Sequence, residues 1–340
     1  MKQTDRKSVW HLVAFVAFLW FLPRAEAASA QTQIAIVHRV VSPDVMPLWI
    51  AHEQGIFKKH GIEARILLPE RGVGHFLSGE QFSYHGIPAT TLQVLQGKDE
   101  KILAAFGDGR LGGLLVAKPE IKRPEQLRGK QFGVFGIGTG FWIQAMLALQ
   151  HLGLEPKRDA ITFKALGNQL NMVRALEAGE VDAIVTDPAQ AGQLRTKGYV
   201  VLLDMYLSNM YGPQNALTAT GAYVQEHPDV VNQVLTAVIE GMAFSLAPSN
   251  KGIVLSTLMK HMQITDPAAA ESGYRYFLQP GIRKPPYPSL ERMRDMQRVM
   301  ALHEPKVLNL RLEAMIEDRF VRKLDESGVI DRLYRAYGVK

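Results

Sequence analysis

The run from Lys130 to Gly153, KQFGVFGIGTGFWIQAMLALQHLG, constrains this chain more than any other stretch, because it demands a strand, a tight turn and a helix in that order. Gln131 to Phe135 is short and apolar with Gly133 inside it, which is the pattern of a buried strand. From Thr139 onward, Trp142, Ala145, Met146, Leu149 and Leu152 recur at helical spacing, and Gly153 can end the helix.

Between them lies Gly136-Ile137-Gly138-Thr139-Gly140. Small residues let backbone N–H groups approach a ligand there, and the positive end of the helix dipole favours negative charge, so the turn is a candidate anion cradle. A dinucleotide fingerprint would need glycine where Phe141 stands, and a P-loop would need Gly-Lys-Ser/Thr, which is missing. A tight connection that holds no ligand is the alternative.

A second pattern gives this turn its context. Gly79-Glu80 is followed nine residues later by Pro88-Ala89, and Gly179-Glu180 is followed nine residues later by Pro188-Ala189. Each copy reads as a glycine stop, a buried strand, and a Pro-Ala turn opening a helix that runs to Gly97 or Gly198 and into another apolar strand. Ligands of open α/β sheets sit outside the carboxyl ends of strands, so His85 to Ala89 and Thr186 to Ala189 are expected to face one shared cleft.

The earlier elements fit the same class. Gln33 to Val37 and Ala64 to Leu68 read as strands flanking a helix that starts near Pro47 and stops at Gly55, an order that implies a parallel pair. Leu114 to Ala117 is a strand leading into Pro119 and Pro124 and fits a first crossing between lobes. Asp204 to Asn215 fits a second, before a strand from Ala216 to Tyr223 returns and Pro228 opens a run of helices broken at Gln279 to Pro288. The expected organisation is a segment 1–30, a discontinuous lobe 1 (31–116 and 216–340, with C-terminal helices), and lobe 2 (117–215).

Residues 1–30 read as a cleavable secretory signal: Lys2, Arg6 and Lys7 precede an apolar run of 14 residues, Val9 to Leu22, and Ala25-Glu26-Ala27 and Ala28-Ser29-Ala30 both fit cleavage sites. The run stops at Pro23, short of the roughly 20 residues a bilayer requires. With no cysteine, the exported protein has no disulfide and no lipid anchor through a processed cysteine, which points to the periplasm. Cleavage after Ala30 takes away four basic and two acidic residues, so the +6 of 39 basic against 33 acidic residues becomes 35 minus 31, or +4. That excess is scattered, with 11 basic and 9 acidic side chains in Glu291 to Lys340, so no nucleic-acid stripe exists and a small anionic ligand is favoured.

Taken in order, these residues resemble the periplasmic solute-binding proteins of nitrate/sulfonate/taurine-type ABC importers, a family that includes binders of thiamine pyrimidine precursors. The resemblance is carried by Pro47-Leu48-Trp49-Ile50-Ala51, Gly55-Ile56-Phe57-Lys58-Lys59 with Gly61-Ile62, and Leu127-Arg128-Gly129-Lys130 before the glycine turn. Ala175-Leu176 with Gly179-Glu180-Val181-Asp182-Ala183, and Ile316-Glu317-Asp318-Arg319-Phe320-Val321, extend it over nearly the whole mature chain. It implies an α/β, type II periplasmic binding protein fold: two α/β lobes joined by a two-crossing hinge, a monomer that closes on a small-molecule solute and delivers it to an ABC permease and ATPase complex. A periplasmic sensor is an alternative, and so is a pyrimidine-precursor enzyme of the same fold, although that enzyme's cysteine-rich iron-binding motif is missing here.

In such a clamshell Thr139, Gly140 and Phe141 hold an anionic group through N–H groups, with the Thr139 hydroxyl as one more donor. Arg39 adds a bidentate contact to sulfonate, carboxylate or nitrate oxygens, or else is a solvated surface arginine. Met46 and Trp49 flank the first helix start, where one lines the cleft, with core packing as the other role for Trp49. Pro88 sits on the opposing turn. Asp187 either meets an amine of the solute or caps the helix beside Pro188. Contact with both Asp187 and the Thr139 turn implies a solute with a donor and an acceptor-rich group, as in taurine or an aminopyrimidine. Asn168, Tyr84, His85 and Tyr211 are further candidates from neighbouring turns. No metal, cofactor or catalytic group is expected: the ten histidines include no His-Glu-x-x-His, and no G-x-S-x-G elbow is present.

Overall fold

The computed structural model describes residues 31–38, 40–68, 80–107, 109–278 and 285–339. Residues 1–30, where a cleavable signal is expected, and Arg39 and Gly79 lie outside the described residues.

Among the described residues ten strands form two five-stranded sheets. The first holds β1 (Thr32–His38), β2 (Ile62–Leu67), β3 (Phe82–Gly86), β4 (Glu100–Phe106) and β10 (Asn215–Thr220), in the order β2-β1-β3-β10-β4. The second holds β5 (Leu114–Ala117), β6 (Gln131–Val134), β7 (Thr162–Ala165), β8 (Ala183–Thr186) and β9 (Val200–Asp204), in the order β7-β6-β8-β5-β9. In the first sheet β1 is parallel to β2 and β3, while β10 is antiparallel to β3 and β4. The second repeats the plan: β6 is parallel to β7 and β8, and β5 is antiparallel to β8 and β9.

The sequence echo thus corresponds to a structural one. β3, helix α3 (Ile87–Leu95) and β4 stand in the first sheet where β8, helix α6 (Pro188–Thr196) and β9 stand in the second. In each lobe the antiparallel strand is inserted between the pair by the hinge connection. Pro88 and Pro188 occupy the first helical turn, where a missing N–H costs no intrahelical bond.

Parallel strands covered on both faces are continuously apolar, as Ile34 to Val37 are. Helices α1 (Met46–Glu53) and α8 (Pro228–Leu246) pack on that sheet and cross each other at Gly241, where an added Cβ would lie 2.2 Å from the Pro47 carbonyl oxygen. Trp49 and Phe57 belong to this core.

Three boundaries differ from expectation. A lobe boundary at 116/117 falls inside β5, all four of whose residues pair with β8 and β9, so the chain passes between sheets over residues 107–113 and returns over 205–214. The returning strand ends at Thr220 rather than Tyr223, because the Thr220 hydroxyl accepts from the Tyr223 N–H at 3.3 Å and starts helix α7 (Gly221–Glu226). The C-terminal helices also do not belong to lobe 1 alone. Met293, Met296 and Met300 of α11 (Leu290–Met300) join the second core with Phe132 and Trp142. Helix α10 (Pro267–Phe277) lies on α6, with Gly273 so close that its Cβ would sit 2.7 Å from that of Ala189. There the buried Gln190 amide donates to the Met262 carbonyl at 2.8 Å. The local sequence shows these helices but not which lobe they cover, since an apolar stripe names no partner.

Candidate functional site

The carboxyl ends of strands from both sheets open on one cavity of about 120 Å³, the position expected for ligands in open α/β sheets. From the first lobe come Ser42 and Asp44 after β1, His85 and Gly86 at the end of β3, Ala89 in α3 and Phe106 ending β4. From the second come Phe135 after β6, Asp187 after β8, and Thr139, Gly140, Phe141 and Gln144 at the start of helix α4 (Gly140–His151). The two crossings add Arg110 and Gln214, the start of β10 adds Asn215, and α10 adds Tyr276 and Phe277.

The glycine turn carries Thr139, Gly140 and Phe141 into the cavity wall. Gly138 has φ +79°, a conformation costly for other residues, and this turns the chain from β6 into the helix. The first N–H groups of α4 have no intrahelical acceptor. The Thr139 hydroxyl, expected as an extra donor, instead gives its proton to the Gly136 carbonyl at 2.6 Å, which corrects that role and leaves its oxygen as an acceptor. One turn further, Gln144 lines the cavity; its Oε1 is buried against Gly113, whose added Cβ would lie 2.3 Å from it, and has no hydrogen-bond partner among the described residues.

Asp187 combines the two roles weighed for it. Its Oδ1 accepts from the N–H groups of Ala189 at 2.8 Å and Gln190 at 3.1 Å, capping α6, while Oδ2 accepts from the Gln169 amide and the residue lines the cavity. Burial pushes its carboxyl up to about 7, against the lowering effect of the capping N–H groups and with a smaller raising contribution from Asp44.

Asp44, in the short helical turn Pro43–Val45 that follows β1, is the matching acid of lobe 1. The residue keeps some accessible surface, but its carboxyl is enclosed: Ser42 and Asn215 donate to Oδ2 at 3.3 Å and Tyr276 at 3.4 Å. These bonds are long, so burial dominates and raises the carboxyl to about 6. Arg110 supplies a positive group; it stacks 3.8 Å above the Tyr206 ring and donates to the Tyr206 carbonyl at 3.0 Å. In sequence Asp44 is bracketed by Pro43 and Pro47 at a helix start, but unlike Asp187 it does not follow its strand directly, so that pattern does not place it at a strand end.

The remaining candidates fall elsewhere. Met46 is fully buried in the first core and is not among the residues that line the cavity. Pro88 is buried one position before the lining Ala89, on the helix side of the turn. Asn168 caps helix α5 (Gln169–Glu177) by accepting from Asn171 N–H at 2.8 Å, away from the cavity. Tyr84 is enclosed and donates to the Asp44 carbonyl at 2.8 Å, while Tyr211 carries Arg292 4.2 Å above its ring. His85 does line the cavity, with Nε2 2.9 Å from the Thr90 hydroxyl. Among the described residues no group of three or more His, Asp or Glu is placed to hold a metal ion.

The family model described as NMT1/THI5-like matches residues 42–250. No curated protein matches the chain. Among solved structures, one from Bordetella bronchiseptica RB50 superposes with a TM-score of 0.71 at 18% identity, covering 88% of this chain and 98% of that one. The alkanesulfonate-binding protein SsuA from Xanthomonas axonopodis pv. citri, bound to MOPS, gives 0.66 at 17% identity over 86% and 100%. The desulfurization enzyme DszB gives 0.60 at 15% identity over 87% and 99%. At these identities the likeness is one of fold, that of the type II periplasmic binding proteins.

Proposed function

Since the chain belongs to the NMT1/THI5-like family, we propose that it is the solute-binding component of an ABC importer, exported to the periplasm by a cleaved signal and working as a monomer with a permease and ATPase. Its solute is small and zwitterionic, or anionic with a hydrogen-bond donor, in the range of taurine, other sulfonates and aminopyrimidines. The observation that carries this reading is the cavity itself, which is enclosed by both lobes and pairs the α4 N-terminus with the buried acids Asp44 and Asp187. A helix N-terminus favours a negative group and the two carboxyls favour an N–H donor, so a bare anion such as nitrate satisfies only half of the wall. Closure about the two crossings brings the walls together on the solute.

An enzyme is the rival reading, favoured by the fold shared with DszB and by a carboxyl near 7 in the cavity. Native mass spectrometry of protein drawn from the periplasm, then thermal-shift screening with nitrate, alkylsulfonates, taurine, aromatic carboxylates and pyrimidines, separates the two. Transport predicts one class retained unchanged and raising the melting temperature in a concentration-dependent way. Chemical turnover of the retained solute, or no stabilisation by any class, would overturn the importer reading.

A further inference from the structure

Tyr276, on the last turn of α10, has a void on either side. One is the cavity just described; the other is a more open hollow of about 260 Å³ between α6, α10 and the start of β5, and both are lined by Gly112 and Tyr276. The partition is thin. An added Cβ at Gly112 would lie 1.7 Å from Cε2 of the Tyr276 ring, so the ring rests on bare backbone. Its hydroxyl donates to Asp44 at 3.4 Å, which points the phenol into the cleft beside the acid.

The two voids differ in charge. The cleft side holds Asp44 and Asp187, whereas the outer hollow holds the exposed guanidinium groups of Arg195 and Arg275 against one carboxylate, Asp204. Asp204 is already engaged, since its Oδ1 accepts from the N–H groups of Tyr206 and Leu207 at 3.0 Å each. Arg275 is held by a 3.2 Å bond to Ser272, with donors to spare. An acceptor-rich inner chamber thus backs onto a donor-rich outer one across a single ring.

We propose that Tyr276 fixes the length of the solute, and that the hollow behind it is a latent subsite for an anionic group, such as a sulfonate or carboxylate, carried on a longer chain. This rests on the zwitterionic solute proposed above. A short solute places its donor end at Asp44 and Asp187 and its anionic end at α4. A longer one does not fit between those two contacts and cannot pass the ring; with the ring removed it keeps its donor end at the two acids and exchanges the α4 contact for Arg195 and Arg275.

The test uses the exported full chain and straight-chain ω-aminoalkanesulfonates from taurine upward, with affinity measured by calorimetry as a function of chain length. Wild type is expected to lose affinity beyond a short length. Tyr276→Ala shifts the optimum to longer members, by about 10-fold or more in affinity, as expected for a recovered charge-assisted contact. Adding Arg275→Ala to Tyr276→Ala removes that gain. Tyr276→Phe, which keeps the ring and drops only the hydroxyl, keeps the wild-type length limit, and Tyr276→Leu gives an intermediate shift should the alanine variant fold poorly. An unchanged length profile in the alanine and leucine variants would overturn the partition, and a gain that survives Arg275→Ala would overturn the anion subsite. Should wild type and all variants bind no member of the series, the zwitterion reading falls and this inference with it.

Discussion

Asp44, from the loop after β1, and Asp187, from the end of β8, face one cavity from opposite lobes, and the charge of Asp44 adds to burial in pushing the Asp187 carboxyl up to about 7. Two acids whose native affinities for protons are raised make the site a proton store when no solute is present. Each consequence of that pairing has a definite sign.

The first concerns stability. A carboxyl raised from 3.8 to about 7 is protonated in the native protein where the unfolded chain is already ionised. Its contribution is therefore present below about 4 and is lost as pH rises toward 7. His38, lowered to about 4 by burial, works the other way between about 4 and 6.5, so the wild-type curve mixes opposed contributions. The difference between wild type and Asp187→Asn isolates one of them. Asn still caps α6, and the variant should gain on wild type by on the order of 2 kcal/mol between pH 5 and pH 8. Denaturant unfolding at those two pH values checks this, and a difference that does not change with pH would refute the assignment.

A second prediction concerns binding. An N–H donor placed between the two acids favours their ionised forms, so capture of an amine-bearing solute near pH 6 should expel protons. Calorimetry of taurine or the retained solute in two buffers of different ionisation enthalpy reads the number directly. Affinity should rise with pH through the interval from about 6 to about 7 set by the pair. Asp187→Asn should release fewer protons, whereas proton uptake on binding would contradict the donor role of the solute.

Much of the fold was legible because its signals are local. The apolar stripe Trp142 to Leu152, the glycine stops at Gly55 and Gly153, and the repeated Pro-Ala turn each report a boundary through backbone chemistry alone. The strand, turn and helix from Gln131 to His151 were legible for the same reason, lying in one run. What escaped depends on distant pairing. Nothing near Leu114 says that β5 joins the sheet it precedes, and nothing in LERMRDMQRVM says that its methionines cover the second lobe. Asp44, Arg110, Gln144 and Tyr276 meet only after two crossings and a C-terminal return, so no spacing could have announced them. Met46 is a candidate for flanking a helix start, and Pro88 and Asn168 for standing in turns beside strands, but at such places a side chain can point into the core as readily as into the cleft.

The helix crossing at Gly241 offers a stability test remote from the site. A methyl group there would sit 2.2 Å from the Pro47 carbonyl oxygen, a backbone atom that can move only if α1 moves with it. Gly241→Ala should therefore destabilise the protein by about 1–3 kcal/mol despite the better helix propensity of alanine. Chemical denaturation measures this, and a gain in stability would show that α1 and α8 do not approach so closely.

Gln144 makes the sharpest separation between stability and binding. Its Oε1 is buried without a hydrogen-bond partner among the described residues, which costs about 1–3 kcal/mol relative to a satisfied acceptor. Replacing it by leucine removes that acceptor at similar volume, so the empty protein should become more stable, by about 1 kcal/mol. If the acceptor waits for a donor on the solute, the same substitution should weaken binding by about 10-fold, since one hydrogen bond of about 1.4 kcal/mol is lost. The two measurements are independent: unfolding of the empty protein reads the first and calorimetry with the retained solute reads the second. A higher melting temperature with undiminished affinity would mean that Gln144 packs against the solute without bonding to it, whereas a fall in both would mean that its amide holds α4 in place.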